Sequence, residues 1–518
     1  MPLWLIVLLA LLLAVVAWDL LQKRHAILRN FPIIGHFRYL LEAIGPELRQ
    51  YIVTDNNEER PFSRDQRSWV YASAKRQNNY SGFGSDNDME LRSNYLVIKH
   101  DTLGRLDTHQ DAEKDPFHSL PAAKILGGHR GRVRAFRPES VVNISGMSFG
   151  SLSGAAVEAM NRGALICGCL HNTGEGGIAP YHLHGGELIW QIGTGYFGCR
   201  NDDGTFSRER FLERVEAHPV KAVEIKLSQG AKPGLGGVLP AKKVTAEIAA
   251  IRGIPQGRTV VSPASHRAFR NVDEMLDFVE DLAGATGLPI GIKSAVGELV
   301  FWKELADRMA AESRGVDFIT IDGGEGGTGA APFSFADHVA LPFKVGFSRV
   351  YRVFAERDVH QKLVWIGAGK LGFPETALVA FCLGADMVNV GREAMMAVGC
   401  IQAQRCHTDH CPTGVATQNR WLVRGLDPTD KATRLAWYVA TLRKELLRLS
   451  HACGVDHPGL LDSDHMEMLD GRFGSRPLRD VFGYRPGWEF PSPADVAAVR
   501  KHMGGAGDQG PPDRYAEP

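Results

Sequence analysis

Net charge is the first thing this 518-residue sequence lacks: Lys+Arg and Asp+Glu are both 59. With no basic excess there is no general attraction to nucleic acid, and a nucleic-acid partner is not expected. Cysteine is also scarce. Eight in a chain of this length are too few for a disulfide scaffold, and Cys400, Cys406 and Cys411 crowd into twelve residues, which fits a metal site in a reducing compartment better. No dinucleotide fingerprint follows any predicted strand, so a doubly wound nucleotide fold is disfavoured. Glycine, by contrast, is abundant at 57 residues, without a collagen-like or linker-like period. It clusters where predicted strands end, which points to ligand-binding turns.

The opening MPLWLIVLLALLLAVVAWDLLQKRH carries an uncharged apolar run over 3–18, extended to Leu21 past Asp19. About 20 apolar residues cross a bilayer. No basic residue precedes the run, Lys23, Arg24 and His25 follow it, and no small-residue cleavage site is evident. The expectation is an uncleaved single-pass anchor over 1–25, with the body of the protein in the cytoplasm by the positive-inside bias. A cleaved signal is the rival reading, which a cytoplasmic iron-sulfur site would exclude.

Residues 26–135 form an N-terminal extension to which no chemistry is assigned. From Val141 to Ala394 short apolar runs ending in glycine or polar residues alternate with helix-like segments, the rhythm of repeated βα units. Eight runs are predicted as strands: VVNISGMS, ALICGCLHNTG, AVEIKLSQG, TVVSPAS, LPIGIKSA, DFITIDGG, LVWIGAGK and DMVNVGRE. The fold class is therefore α/β, a (β/α)8 barrel over 136–425, with an N-terminal transmembrane helix and flanking segments. A helical extension covers 426–502, including an amphipathic helix over 433–454 that packs on the barrel. A disordered tail covers 503–518.

In a parallel barrel the active site lies at the C-terminal ends of the strands. There the sequence places Ser148, Asn172, Glu175, Lys226, Gln229, Lys293, Asp322, Gly369 and Arg392. In IDGGEGGTGAAP, Gly323, Gly324, Gly326, Gly327 and Gly329 surround Glu325 and Thr328, and such a loop lets backbone amides approach a phosphate. GAGKLG and NVGRE end the seventh and eighth strands, where barrels build phosphate sites. Three such loops together suggest a phosphorylated cofactor, although any one of them could be only a tight turn. Lys226 and Lys293 sit in apolar strands and need an anionic partner: a flavin edge, a substrate carboxylate or a buried ion pair. The three cysteines are one short of a closed four-thiolate site. A three-iron cluster matches that count, and zinc completed by His407 or His410 is the alternative.

GMSFGSLSGAAVEAMNRGA, LHNTGEGG, VEIKLSQGAKPGLGGVLPAKKV, DGGEGGTGAAP and CHTDHCPTGVATQ resemble, in order, motifs of the synthase domain of glutamate synthase. The resemblance covers about residues 140–420. It implies a barrel that binds FMN and a 3Fe-4S cluster and reduces 2-iminoglutarate, made from 2-oxoglutarate and ammonia, to L-glutamate. Cys400, Cys406 and Cys411 would ligate the cluster, and Glu175, Lys226 and Gln229 would line the substrate side. The candidate flavin residues are Met147, Ser148, Asn172, Lys293, Asp322, Gly324, Gly327, Gly329, Gly367, Gly369, Gly391 and Arg392.

The pattern departs from the family at Leu235, where an acidic residue is usual, and in SPASHRAFR, which is poorer in histidine. The phosphate loop has an extra Glu-Gly, and IGAGKLGFP replaces an Asp-Gly-Gly turn. Neither an amidotransferase domain nor an NAD(P)H motif is seen, so the expected match is a stand-alone, anchored member of the group. The expected partners are a 2-oxo acid with ammonia or an amine, and a separate electron-donor protein such as ferredoxin or a reductase. A separate glutaminase subunit is also compatible. An N-methylglutamate synthase-like transferase and a non-catalytic electron-transfer protein are the alternative functions.

Overall fold

The computed structural model describes residues 2–22, 25–53, 57–90, 92–103, 117–472 and 474–504. The chain divides into two units, Met1–Ser68 and Trp69–Pro518.

In the first unit an apolar helix runs over Leu3–Leu21, the bounds expected from the sequence. Among the described residues it alone is long and apolar enough to cross a membrane, judged by length and composition. Lys23 and Arg24, on which the expected orientation rests, lie outside the described residues. Helices Ala26–Asn30 and Ile34–Leu48 follow.

The second unit is built on a closed parallel barrel of eight strands in sequential order. They are β1 (Val142–Ile144), β2 (His171–Asn172), β3 (Leu188–Ile192), β4 (Val220–Lys226), β5 (Ile290–Ser294), β6 (Phe318–Asp322), β7 (Val364–Ala368) and β8 (Met387–Val390). Closure is by β8 on β1, with Val388 opposite Val142. Most strand residues are buried on both faces, because one face lines the barrel and the other meets the helices; the strands therefore read as continuous apolar runs without alternation.

Two expectations about the strands need correction. TVVSPAS is not a barrel strand: Val260 and Val261 pair antiparallel with Val238 and Leu239 in a two-stranded ribbon between β4 and β5. The remaining barrel strand is β3, whose LIWQI segment is held between Glu187 and Gly193 and pairs in parallel with β2 and β4. In ALICGCLHNTG, residues 164–167 end the helix Gly154–Cys167 and only His171–Asn172 form strand. Gly168, at φ +64, turns the chain out of that helix in a conformation that most side chains avoid.

Residues assigned to the N-terminal extension supply part of the barrel core. Ala122 and Leu126 pack with Leu170, Ile189, Ala222, Phe318, Val364, Ile366 and Met387 at the end remote from the strand C-termini. Arg132 ties that end together by pairing with Asp317 at 3.0 Å and Glu280 at 2.7 Å. The expected amphipathic helix runs over Pro428–Ala452, capped by Asp427, and packs along Gly154–Cys167. Residues 505–518 of the expected tail lie outside the described residues.

Candidate active site

The strand C-termini open into a cleft of about 1220 Å3, part of it open to solvent. Glu175, Lys226 and Gln229 meet there because β2 and β4 end on the same face. Lys226 Nζ lies 3.2 Å from Glu175 Oε1 and donates to Gln229 Oε1 at 2.7 Å. Gln229 in turn donates to the Gly327 carbonyl at 3.2 Å, linking the loop after β4 to the loop after β6.

Two cations that were not singled out in the sequence complete this group. Lys232 reaches into the cleft and donates to the Ala330 carbonyl at 3.2 Å, and Arg252 donates to the Phe149 carbonyl at 2.9 Å. The Arg252 Nε is buried without a hydrogen-bond partner. Burial pushes the Glu175 carboxyl up, but Lys226, Lys232 and Arg252 outweigh this and hold it below its usual range. Burial brings the Lys232 ammonium down to about 8, with repulsion from Lys226 adding to the effect and Glu175 opposing it. Burial likewise lowers Arg252 to about 10, still cationic at neutral pH.

Close approaches of backbone to neighbouring groups shape these loops. A Cβ on Gly230 would stand 1.7 Å from the Gly323 carbonyl oxygen, and one on Gly237 would stand 2.0 Å from Glu175 Oε1. Only glycine fits at either position without displacing its neighbour. His266, the histidine of SPASHRAFR, is brought down to about 4 by burial and is therefore neutral. Tyr196 OH accepts from the Arg267 and Ala268 amides and so donates to His266 Nδ1, leaving Nε2–H to donate to the Lys226 carbonyl at 2.9 Å. Its role is to fix the end of β4. Leu235 does not line the cleft.

Beside Lys226, on the neighbouring strand β5, Lys293 pairs with Asp322 at 3.4 Å, and Asp322 also accepts from the Gly230 amide at 3.1 Å. Burial opposes the Lys293 charge, but Asp322 and Glu224 more than compensate and raise its pKa. Met147, Ser148, Gly327, Gly329, Gly369, Gly391 and Arg392 all line the cleft. So do Gln191 and Asn389, which were not singled out.

Three other candidates do not reach the cleft. Asn172 turns into the barrel, donating to Glu224 at 2.7 Å and accepting from the Gly174 amide. Gly324 faces the Ala340 backbone and Gly367 faces Phe343 and Leu371.

Cys400, Cys406 and Cys411 line one small cavity of about 290 Å3, and three of its residues, Met395, Cys406 and Ala416, also line the cleft. The two spaces are therefore adjacent. His407 and His410 do not line the small cavity, and among the described residues no three His, Cys, Asp or Glu side chains converge on a single-ion site. The donor set is thus three thiols around a shared space. Gln402 and Gln404, at φ +60 and +55, wrap the loop inward, and the Gln402 amide donates to Cys400 Sγ at 3.4 Å. The GVATQ segment secures the other end: Thr417 and the Gln418 amide bond to Asp409, while the Gln418 side chain donates to the Gly150 and Leu152 carbonyls.

A family model described as the conserved region in glutamate synthase matches residues 111–456. The glutamate synthase large subunit-like protein YerD of Bacillus subtilis is 39% identical over 86% of this chain and 90% of its own length. The archaeal glutamate synthase [NADPH] of Methanocaldococcus jannaschii is 35% identical over 61% of this chain, which spans only 60% of that relative. The ferredoxin-dependent glutamate synthase of Cyanidium caldarium is 32% identical over 54% of this chain and 18% of its own length. Among solved structures, a flavocytochrome b2 mutant with sulfite bound is 14% identical, with a TM-score of 0.43, covering 88% of this chain and 90% of that one. By a family match over more than half its length and a relative 39% identical across nearly all of it, this chain belongs to the glutamate synthase family and is an oxidoreductase of that kind.

Proposed function

We propose that this protein is an FMN- and iron-sulfur-dependent oxidoreductase that reduces 2-iminoglutarate, formed from 2-oxoglutarate and ammonia, to L-glutamate. The observation that carries the reading is the charge at the cleft floor. Lys226, Lys232 and Arg252 surround the single carboxylate of Glu175, so the group keeps two positive charges for a dicarboxylate. Lys226 has three N–H donors, of which Glu175 and Gln229 engage two. The third serves a substrate carboxylate, while Glu175 and Gln229 hold the ammonium in place.

The glycine-rich ends of β6, β7 and β8, together with Lys370 and Arg392, suit the phosphate of one mononucleotide, and Lys293 suits an electron-rich edge of its ring. FMN, when bound, supplies two-electron chemistry to a substrate carbon placed over it. Cys400, Cys406 and Cys411 suit a 3Fe-4S cluster, which supplies one-electron exchange with an external donor. The donor is a separate protein of the ferredoxin or reductase type, and helix Leu3–Leu21 holds the enzyme at a membrane.

The test uses the full-length protein in detergent, reduced anaerobically. Addition of 2-oxoglutarate with ammonia is expected to reoxidise the flavin and yield L-glutamate. Reoxidation only with methylamine would move the assignment to an N-methylglutamate-forming transferase. No reoxidation by any 2-oxo acid with either amine would overturn the enzymatic reading.

A further inference from the structure

The exposed apolar surface of the first unit does not end with Leu3–Leu21. Helix Ile34–Leu48 exposes Ile34, Phe37, Leu40, Leu41, Ile44 and Leu48. At 100° per residue these six fall within an arc of about 120°. Arg38 and Glu42, paired at 2.8 Å, lie outside that arc. Phe31, with 61% of its surface accessible, leads into the helix, and Ile52 and Val53, above 70%, follow it. Soluble surfaces rarely carry a contiguous apolar patch of this extent.

The hydrogen bonds of Asp19 indicate what covers the stripe. This buried carboxylate, in the last turn of the apolar helix, accepts from the Ile33 amide at 3.0 Å and from His36 Nε2 at 2.9 Å. The first turn of Ile34–Leu48 is thereby fastened to the C-terminal end of Leu3–Leu21. The apolar helix, at 1.5 Å per residue, is about 28 Å long. That length matches the ~30 Å hydrocarbon core of a bilayer. A helix spanning that core has its C-terminal end at the lipid boundary, and a second helix hydrogen-bonded to that end is held at the same depth. An arc of apolar residues with charge outside it is the form of a helix lying in the membrane interface. The Asp19–His36 contact also satisfies the polar groups that would otherwise be stranded at the boundary.

We infer that Ile34–Leu48 lies in the lipid–water interface with its apolar stripe against the acyl chains, so that the protein holds its membrane by a spanning helix and an in-plane helix together. The inference rests on reading Leu3–Leu21 as a membrane span, and the experiment separates the two.

Full-length protein is reconstituted into vesicles of phosphatidylcholine and phosphatidylglycerol with a nitroxide side chain placed, one at a time, at positions 12, 37, 38, 42 and 44. Collision with lipid-soluble oxygen is compared with collision with a water-soluble nickel chelate. Labels at 37 and 44 are expected to favour oxygen, as the label at 12 does, while labels at 38 and 42 favour nickel. If 12 favours oxygen but 37 and 44 favour nickel, the in-plane helix is refuted and the span stands. If 12 itself favours nickel, the span is refuted and the inference with it. If 37 and 44 are shielded from both reagents, the stripe is covered by protein, such as a second copy of the chain, and the lipid assignment is wrong.

Discussion

The ammonium of Lys226 stands 3.2 Å from Glu175 Oε1, although the two residues are 51 positions apart and leave different strands. Each is nearly enclosed, so the pair cannot be broken without leaving a charge in a poorly solvated place. Lys226→Met is expected to raise the KM for 2-oxoglutarate by at least about tenfold, equivalent to about 1.4 kcal/mol. It should also lower stability, because Glu175 loses its nearest cation. Adding Glu175→Gln to Lys226→Met should restore the denaturation midpoint but not the activity. Recovery of both by the double variant would show that the pair is structural only.

The lowered pKa of Lys232 sets a pH limit. The ammonium is charged below about 8 and neutral above it, so dicarboxylate affinity should fall as pH rises through about 8. Lys232→Arg should remove that break, since a guanidinium stays charged. For stability the sign is opposite. The folded pKa lies below the ordinary 10.5, so between about 8 and 10.5 the unfolded chain binds more protons and this residue's contribution to stability rises with pH. Profiles of KM and of denaturation midpoint against pH check the two trends.

Gly237→Ala places a methyl 2.0 Å from Glu175 Oε1 and 2.8 Å from its Cδ. The carboxylate must swing away from Lys226. Catalysis should fall with little change in FMN content, since the loops proposed to hold its phosphate lie after β6, β7 and β8. Loss of flavin together with activity would show that this turn supports the cofactor as well.

Glu224 sits at the centre of the barrel, accepting from Asn172 and Thr320 at 2.7 Å and from Gln191 at 2.6 Å. Glu224→Gln turns an NH2 group either toward the Asn172 and Gln191 amide donors, which cannot accept from it, or toward the Thr320 hydroxyl, which can accept but loses its own acceptor. It is expected to cost about 1–3 kcal/mol, measured by urea denaturation.

Cys406→Ser should remove iron and the electron paramagnetic resonance signal of an oxidised 3Fe-4S centre while FMN stays bound. Cys406 borders both spaces, while the loops proposed to hold the phosphate follow β6, β7 and β8. Stoichiometric zinc without iron in anaerobically purified protein would refute the cluster assignment.

What the sequence determined by itself was whatever short-range pattern encodes. Continuous apolar runs ending in Lys226, Lys293 or the Asp322 loop could be read as barrel strands because a strand buried on both faces needs no partner to be recognised. The cysteine spacing and the GVATQ segment were legible in the same way, and the structure shows why they travel together: Gln418 fastens the cysteine loop to the loop after β1. TVVSPAS is read as a strand from the sequence and LIWQI is passed over, because both are short apolar runs between turn residues and nothing local separates them. Only ring closure, which requires a partner on each side, places β3 in the barrel and leaves Val260 and Val261 in a ribbon.

The tertiary structure decided which polar groups meet. Arg252 lies on a helix 77 positions after Glu175, where nothing local marks it as a cleft residue. Asn172 and Glu175 are three positions apart, yet one turns into the barrel toward Glu224 and the other toward Lys226. The reason is geometric. Along a strand and its loop the backbone alone sets where each residue sits, but the direction a side chain takes at the strand end depends on the charges that seven other strands bring to the same face.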